Sequence, residues 1–158
     1  MPGGAERPDP WEVALRLLAM RARTRQDLST RLARRGYSPA EIEPVLRRLT
    51  AARYLDDAGF ARSWARSPAH RGFGPARLAR ELRTRGVPEA EVSVVLGELA
   101  EERDMRGEAQ AVAAKKLHAL RGLPAAVIRR RLAAHLMRRG FTTDVILDLL
   151  RHLPGGDE

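Results

Sequence analysis

The sequence predicts an all-α protein of three tandem three-helix repeats that form an elongated, curved array. The first observation is a register: Gly36, Gly86 and Gly140 each follow an arginine, and they are spaced 50 and 54 residues apart. The second is that apolar positions around each glycine recur every three and four residues, the period of one helix face. The third is that no strict apolar–polar alternation is sustained as a strand would require. Spacings of this length are typical of tandem supersecondary units.

The apolar positions of the three units align when they are counted from the glycine. They include leucines eight and four residues before it, a large apolar residue directly after it, and four positions further on. The first set is Leu28, Leu32, Tyr37, Ile42, Val45, Leu46 and Leu49; the second is Leu78, Leu82, Val87, Val92, Val95, Leu96 and Leu99; the third is Leu132, Leu136, Phe141, Ile146, Leu149, Leu150 and Leu153. We expect these side chains to form the core of each unit.

The first helix of the first unit is predicted to begin near Trp11 and is apolar on two sides. One stripe consists of Trp11, Leu15 and Leu18, and the other of Val13, Leu17 and Met20. A helix at the end of an array needs only one buried side. The second stripe therefore either packs within the chain or contributes to a docking surface.

Helix caps define the rest of the first unit. Thr24 is the predicted N-cap of the second helix, and Ser38 that of the third, where Glu41 completes a capping box. A residue of this kind accepts a hydrogen bond from an unpaired backbone N–H and contributes about 1 kcal/mol. Gly36 lies where the second helix ends, a position that commonly adopts a left-handed backbone.

The second and third units follow the same plan with one boundary left open. Asp56 and Asp57 are expected to cap the fourth helix, and Gly74 to cap the fifth. The third unit starts near Gly107, but the sequence leaves open whether the preceding helix continues into it. The second helix of that unit is predicted to begin at Pro124 and to be about one turn longer than its counterparts. The predicted units are residues 11–54, 55–104 and 105–153, with disordered tails at 1–10 and 154–158.

Composition excludes several classes of protein. The chain of 158 residues is 44% hydrophobic, which is sufficient for small cores, and it contains no cysteine, so disulfides, thiolate catalysis and cysteine–zinc sites are excluded. No apolar run approaches the ~20 residues of a membrane span, and the first ten residues do not resemble a signal peptide. We expect a cytoplasmic monomer.

Charge is unevenly distributed along the chain. The formal net charge is +9, with about +5 in residues 1–54, −1 in 55–104 and +7 in 105–154. A basic surface attracts polyanions and acidic partners. Because 27 of the 29 basic residues are arginine, the nucleotide composition of a GC-rich genome is an alternative explanation for many of them. The third unit is less easily explained in that way, since Arg129, Arg130 and Arg131 place like charges next to each other on one helix.

Catalytic and metal-binding patterns are weak. None of the four histidines stands at a metal-ligand spacing from another histidine or a carboxylate. Helix capping accounts for Asp56 and Asp57, and the segment from Arg71 to Pro75 lacks the spacing and lysine of a phosphate-binding loop. We expect no cofactor, no metal and no enzymatic activity.

Several motifs, in this order, resemble the RecX family of bacterial regulatory proteins. They are Tyr54-Leu55-Asp56-Asp57 with Phe60-Ala61, Gly74 followed by Leu78-x-x-Glu81-Leu82-x-x-x-Gly86-Val87, and Arg138-Arg139-Gly140-Phe141. The resemblance covers residues 11 to 153, with one departure at Asp104-Met105-Arg106. It implies tandem three-helix repeats that bind the RecA recombinase as its filament on single-stranded DNA. Members of this family lie in the filament groove and damp ATP hydrolysis, strand exchange and co-protease activity.

The residues expected to contact the partner are basic. The principal surface is predicted to comprise Lys115, Lys116, Arg129, Arg130, Arg131, Arg138 and Arg139, and the secondary one Arg31 and Arg34. The alternative is a direct DNA-binding module, because a second helix, a glycine turn and a third helix resemble helix-turn-helix geometry. Arg47 and Arg48 are its best candidates for base contact, and weak non-specific DNA contact is compatible with either function.

Overall fold

The computed structural model describes residues 6–153, and this part of the chain consists of nine α-helices and one short 3-10 helix, without a strand. The α-helices are α1 (Pro10–Met20), α2 (Arg25–Arg34), α3 (Pro39–Ala51), α4 (Asp57–Arg66), α5 (Pro75–Thr84), α6 (Glu89–Glu102), α7 (Met105–Ala119), α8 (Ala125–Arg138) and α9 (Thr143–Arg151). The 3-10 helix (Pro68–His70) follows α4. The longer second helix of the third unit is confirmed, since α8 has 14 residues and both α2 and α5 have 10.

Each unit of three helices encloses a core of its own. The cores lie within α1–α3, α4–α6 and α7–α9. The leucines predicted at eight and four residues before each glycine are 0% exposed: Leu28, Leu32, Leu78, Leu82, Leu132 and Leu136. On α9, Ile146 is buried, and the later predicted positions on this helix and just after it are partly buried against the third core. The predicted all-α fold of tandem three-helix repeats is therefore confirmed.

Local capping explains where the helices begin. The Thr24 hydroxyl accepts from the backbone N–H of Asp27 at 3.1 Å. The Ser38 hydroxyl accepts from the Glu41 N–H at 3.3 Å while the Glu41 carboxylate accepts from the Ser38 N–H at 2.7 Å, which completes the predicted capping box. Asp56 accepts from the Gly59 N–H at 2.9 Å. These bonds satisfy donors that the first helical turn leaves unpaired.

The glycines of the register end the middle helices as predicted. Gly36, Gly86 and Gly140, here called the turn glycines, have φ values of +89°, +84° and +86°. A side chain is disfavoured in this left-handed region, so glycine is the residue that suits it. The residue after each turn glycine folds back on the helix, and in the first unit the Tyr37 N–H donates to the Leu32 carbonyl at 3.3 Å.

Two sequence-based boundaries need correction, and the structure settles a third that the sequence left open. Disorder predicted over residues 1–10 does not extend to residues 6–10, because Asp9 caps α1 by accepting from the Trp11 N–H at 2.9 Å and α1 begins at Pro10. Leu55 was assigned to the second unit but packs in the core of the first, since its N–H bonds back to Leu49 at 3.3 Å. The helix before Gly107 does not continue, because α6 ends at Glu102 and the Asp104 side chain caps α7. Residues 1–5 and 154–158 lie outside the described residues.

The two-sided first helix packs mainly within the chain. Val13 and Leu17 are buried, and Trp11 packs against the same core beneath the Arg48 guanidinium, 3.9 Å from the ring centroid. Met20 is the exception at 76% exposed. The second stripe is therefore chiefly core.

Neighbouring units join through one repeated contact. Thr24 and Gly74 both lie 12 residues before the turn glycine of their own unit. The Thr24 hydroxyl donates to the Arg85 carbonyl at 2.6 Å, and the Gly74 N–H donates to the Arg139 carbonyl at 2.7 Å. The starts of α2 and α5 thus contact the glycine turn of the unit that follows. Within residues 6–153, hydrogen bonds and ion pairs between units join only neighbours along the chain.

The N-terminal segment covers the one turn glycine that has no preceding unit. Arg7 donates to the Gly36 carbonyl and pairs with Glu41 at 2.6 Å. The Tyr37 hydroxyl donates to the Pro8 carbonyl at 2.5 Å. Terminal repeats of tandem arrays require such a cap because they lack a neighbour on one side.

Candidate partner-binding surface

A cleft of about 940 Å³ lies between the second and third units. Its walls come from α4 and α6 on one side and from α7 and α8 on the other, with the loop before Gly74 at one end. Six arginine and lysine side chains and three carboxylates line it: Arg66, Arg71, Arg103, Lys115, Lys116, Arg139, Glu102, Asp104 and Glu108. His135 also lines it. We call this feature the basic cleft.

The carboxylates of the basic cleft are already engaged within the chain. Glu102 pairs with Arg66 at 2.6 Å, and Glu108 pairs with Arg103, whose side chain is 14% exposed. These arginines lower the pKa of both carboxyl groups by hydrogen bonding, against the opposing effect of burial. Asp104 accepts from the Gly107 N–H at 2.9 Å as the cap of α7. Little negative charge is left to balance the remaining cations.

Four cations of the basic cleft form no ion pair with any residue between 6 and 153. They are Arg71, Lys115, Lys116 and Arg139. Arg71 and Lys115 are exposed, while Lys116 and Arg139 are half-buried. A cleft concentrates the field of its charges, so these four give the junction its positive potential.

The structure brings together three of the seven residues predicted for the principal surface. Lys115, Lys116 and Arg139 meet in the basic cleft. Arg129 lines a separate groove with Ile128 and Leu153 at the other side of α8. The three remaining residues, Arg130, Arg131 and Arg138, are exposed on α8.

The two residues of the predicted secondary surface differ in their surroundings. Arg31 pairs with Asp27 at 3.1 Å, and both side chains are 33% exposed. The same carboxylate also receives a bond from the buried Arg23 at 3.0 Å. Arg34 is exposed at a groove between the first and second units. Arg31 is therefore largely committed to a contact within the chain.

Among the four cleft cations that form no ion pair within residues 6–153, Arg71 is the one that sequence reasoning missed. It belongs to a unit with a net charge near zero, and the glycine-rich segment that follows it was explained as a helix cap alone. The structure gives that segment a second role, because the Gly72 N–H donates to Glu108 at 3.2 Å and the Gly74 N–H donates across the junction. The sequence did contain a signal for this contact, because glycines on both sides of Phe73 allow another segment of backbone to approach closely.

The electrostatics of the basic cleft act on His135. Burial lowers the pKa of this imidazole, and the positive charges of Lys116, Arg139 and Arg138 lower it further. The folded chain therefore holds a neutral imidazole at pH values where an unfolded chain, with an ordinary pKa of 6.5, begins to bind a proton.

This shift predicts a pH dependence of stability. The pKa of His135 is lower in the folded chain than in the unfolded one. The contribution of this residue to the free energy of unfolding is therefore complete above pH 6.5 and is lost as pH falls through the lowered pKa. We expect the free energy of unfolding to decrease on acidification, and His135→Gln to reduce that decrease. Chemical denaturation at several pH values measures the free energy of unfolding of each variant. His118→Gln, at an exposed position, is the matched control. An unchanged pH dependence in His135→Gln would contradict the assignment.

Other site types find no support in residues 6–153. Within this range, every helix is too short or too polar to span a lipid bilayer. The same residues hold no group of three or more histidine and carboxylate side chains arranged around a common metal position.

The fold and its junctions define an all-α tandem-repeat protein with a charged cleft between units. Three family models match in succession: the first three-helix domain of RecX over residues 11–49, the second over 56–96 and the third over 108–150. The chain belongs to the RecX family of regulatory proteins.

Individual relatives agree with this assignment. The chain is 44% identical over 138 residues to the regulatory protein RecX of Halorhodospira halophila, covering 85% of this chain and 82% of that protein. It is 37% identical to its counterpart in Streptomyces coelicolor, covering 88% and 74%. Crystal structures of a regulatory protein RecX and of RecX from Lactobacillus salivarius superpose with TM-scores of 0.81 and 0.78, each over 91% of this chain and over 70% and 96% of theirs. Their sequence identities are 22% and 18%, so they support the fold alone.

Proposed function

We propose that this chain is a non-enzymatic regulator that binds the RecA filament on single-stranded DNA. It lies in the filament groove and lowers ATP hydrolysis, strand exchange and co-protease activity. The observation that carries the proposal is the family match across all three units. The relatives named as regulatory proteins support a role exerted on a partner. We place the protein in the cytoplasm as a monomer that needs no metal or cofactor.

The serial arrangement of the three units supports binding to a repetitive partner. Three units joined end to end present several surfaces at fixed separations, so weak contacts with successive protomers of a filament add to a high avidity. Hydrogen bonds hold both junctions: the Thr24 hydroxyl donates to the Arg85 carbonyl at 2.6 Å in the first, and the Ala76 N–H donates to the Gly140 carbonyl at 3.1 Å in the second. A regulator built in this way would hold neighbouring protomers in one relative arrangement.

The unpaired cations support an electrostatic component of binding. Lys115, Lys116 and Arg139 face the basic cleft, and Arg130 and Arg138 are exposed on α8. Such charges accelerate encounter with an acidic surface or with DNA phosphates and lose effect as salt increases. Inhibition of RecA should accordingly weaken at high ionic strength.

The direct test measures the DNA-dependent ATPase of RecA as the purified chain is added. The proposal requires a decrease in ATP hydrolysis at concentrations of this chain that bind the filament. Filaments that bind the chain and hydrolyse ATP at an unchanged rate would contradict the inhibitory function. A chain that does not bind the filament would refute the proposal as a whole.

Reversing two charges of α8 is expected to weaken this inhibition. Arg130→Glu with Arg138→Glu should raise the half-inhibitory concentration about tenfold, since two reversed contacts of roughly 0.7 kcal/mol each correspond to one decade of affinity. Helicity should not change because both side chains are exposed. Arg80→Glu with Arg151→Glu is the control with the same change in net charge. Equal inhibition by both double variants would refute this placement of the surface.

The second candidate function is direct DNA binding through helix-turn-helix-like units. Its support is the geometry of α2, the turn at Gly36 and α3, which places Arg47 and Arg48 on an exposed helix face. Arg48 already stacks on Trp11, and α6 in the corresponding place is mainly apolar and acidic. Titration of single- and double-stranded DNA at two salt concentrations, with and without RecA, distinguishes the candidates. Tight, sequence-selective duplex binding without RecA would favour this second function.

A further inference from the structure

We propose that the basic cleft receives an acidic, amphipathic segment of the partner protein. Apolar side chains of that segment contact the floor of the cleft, and its carboxylates pair with Arg71, Lys115, Lys116 and Arg139. The inference deepens the proposed function and rests on it, because that function supplies the RecA filament as the partner. It assigns a role in partner recognition to the junction between the second and third units, in addition to the role proposed for the exposed face of α8.

The floor of the basic cleft is apolar and lined by small side chains. Ala65 and Leu99 are 2% and 1% exposed and belong to the core of the second unit. Ala111, Val112 and Ala119 of α7 complete the floor and supply most of its accessible apolar surface, since Ala111 and Ala119 are exposed and Val112 is half-buried. Small side chains leave depth between the two units, so the cleft has room for the apolar side chains of another chain. An apolar floor surrounded by polar groups is the usual form of a protein recognition site.

The charges at the rim favour carboxylates. Arg71, Lys115, Lys116 and Arg139 have no ion-pair partner in the part of the chain that the structure describes, whereas Glu102 and Glu108 are each paired with an arginine. An incoming carboxylate therefore meets cations without having to displace an existing partner. Charge complementarity of this kind fixes the register of a bound segment and excludes basic ones.

The surroundings of the aromatic rings favour protein over nucleic acid as the occupant. Proteins that bind single strands without sequence preference stack bases on exposed aromatic side chains. Among the described residues, no phenylalanine, tyrosine or tryptophan lines the basic cleft. Outside it, His70 covers Trp64 with the ring centroids 3.8 Å apart, and the Arg77 guanidinium lies 3.7 Å from the centroid of Phe73. Phosphates would satisfy the rim cations but would leave the apolar floor without contacts. An amphipathic acidic peptide pairs with the rim cations and also contacts the apolar floor.

The absence of cysteine from the chain allows a site-specific test. We would replace Ala111 or Ala119 by cysteine, attach a benzophenone maleimide and irradiate the variant bound to RecA on oligo(dT). Ala114→Cys is the matched control, because this exposed alanine lies on the same helix but lines the groove on its other side. Mass spectrometry then identifies the cross-linked species.

The proposal expects cross-links from Ala111→Cys and Ala119→Cys to an acidic segment of RecA, at least fivefold more than from Ala114→Cys. Cross-links to DNA instead would overturn it in favour of a nucleic-acid occupant. Absence of cross-links while the same variants still inhibit the ATPase would also overturn it and leave the proposed function standing. If the unmodified chain neither binds nor inhibits the filament, the proposed function itself fails.

Discussion

Replacing Gly74 by alanine is expected to disrupt the junction between the second and third units. A Cβ at this position would overlap the Gly140 carbonyl group and the backbone nitrogen of Phe141. Backbone atoms cannot move aside as a flexible side chain does, so the two units must separate. The backbone of Gly74 has a φ of −76°, which alanine tolerates, and the effect is therefore confined to the contact.

The cost of this overlap is about 2 kcal/mol, as for other changes that insert an atom into a packed contact. We expect faster amide exchange at the junction and about tenfold weaker inhibition of RecA, measured by hydrogen–deuterium exchange and by the ATPase assay. Gly97→Ala is the control, because a Cβ there meets nothing within 4 Å in the middle of α6. It should stabilise the helix by about 0.5–1 kcal/mol. Full inhibition by Gly74→Ala despite an opened junction would show that the relative placement of the units is unimportant.

Truncating Leu136 to alanine is expected to unfold the third unit ahead of the others. The side chain is 0% exposed in the core of that unit. Loss of a buried leucine costs about 3 kcal/mol. A unit of about 50 residues has little stability to spare. Because each unit has its own core, most of this loss should appear locally as opening of α7, α8 and α9.

Hydrogen–deuterium exchange resolved by peptide distinguishes local from global unfolding. The expected result is rapid exchange across residues 105–153 with protection retained in the first unit. Met137→Ala is the control at the adjacent position, 66% exposed, with an expected change below about 0.5 kcal/mol. Equal loss of protection in all three units would mean that the array unfolds as one cooperative body, contrary to the separation of its cores.

The fold could be predicted because its determinants are local. Capping residues such as Ser38 and Asp56 act within one helical turn, and the turn glycines adopt backbone conformations that few other residues accept. Periodicity then identified buried leucines such as Leu82 without reference to any distant contact. Threefold repetition strengthened each assignment, since one pattern explained three segments.

Contacts between distant segments could not be predicted in the same way. Nothing in the sequence indicates that Arg7 covers the first turn glycine, or that Leu55 packs backwards into the first core. The pairing of Arg66 with Glu102 spans 36 residues and depends on the separation of α4 and α6. Such pairs become visible only when the helices have been placed relative to one another.

The charge of a unit was a poor guide to the charge of its surface. The second unit is nearly neutral by composition, but Arg62 and Arg66 take up the charge of Glu98 while Arg71 remains unpaired in the part of the chain described here. Conversely, Arg31 counted towards a predicted surface but pairs with Asp27. Local electrostatics therefore follow from side-chain geometry, which separates engaged cations from those available to a partner.

An image of this chain bound to RecA on single-stranded DNA is the most direct test of its proposed mode of action. Cryo-electron microscopy should show three consecutive units lying in the filament groove, in contact with successive protomers, with the basic cleft and the exposed face of α8 turned towards the filament. Density found only at filament ends, or on the outer surface with the groove empty, would contradict the proposed mechanism.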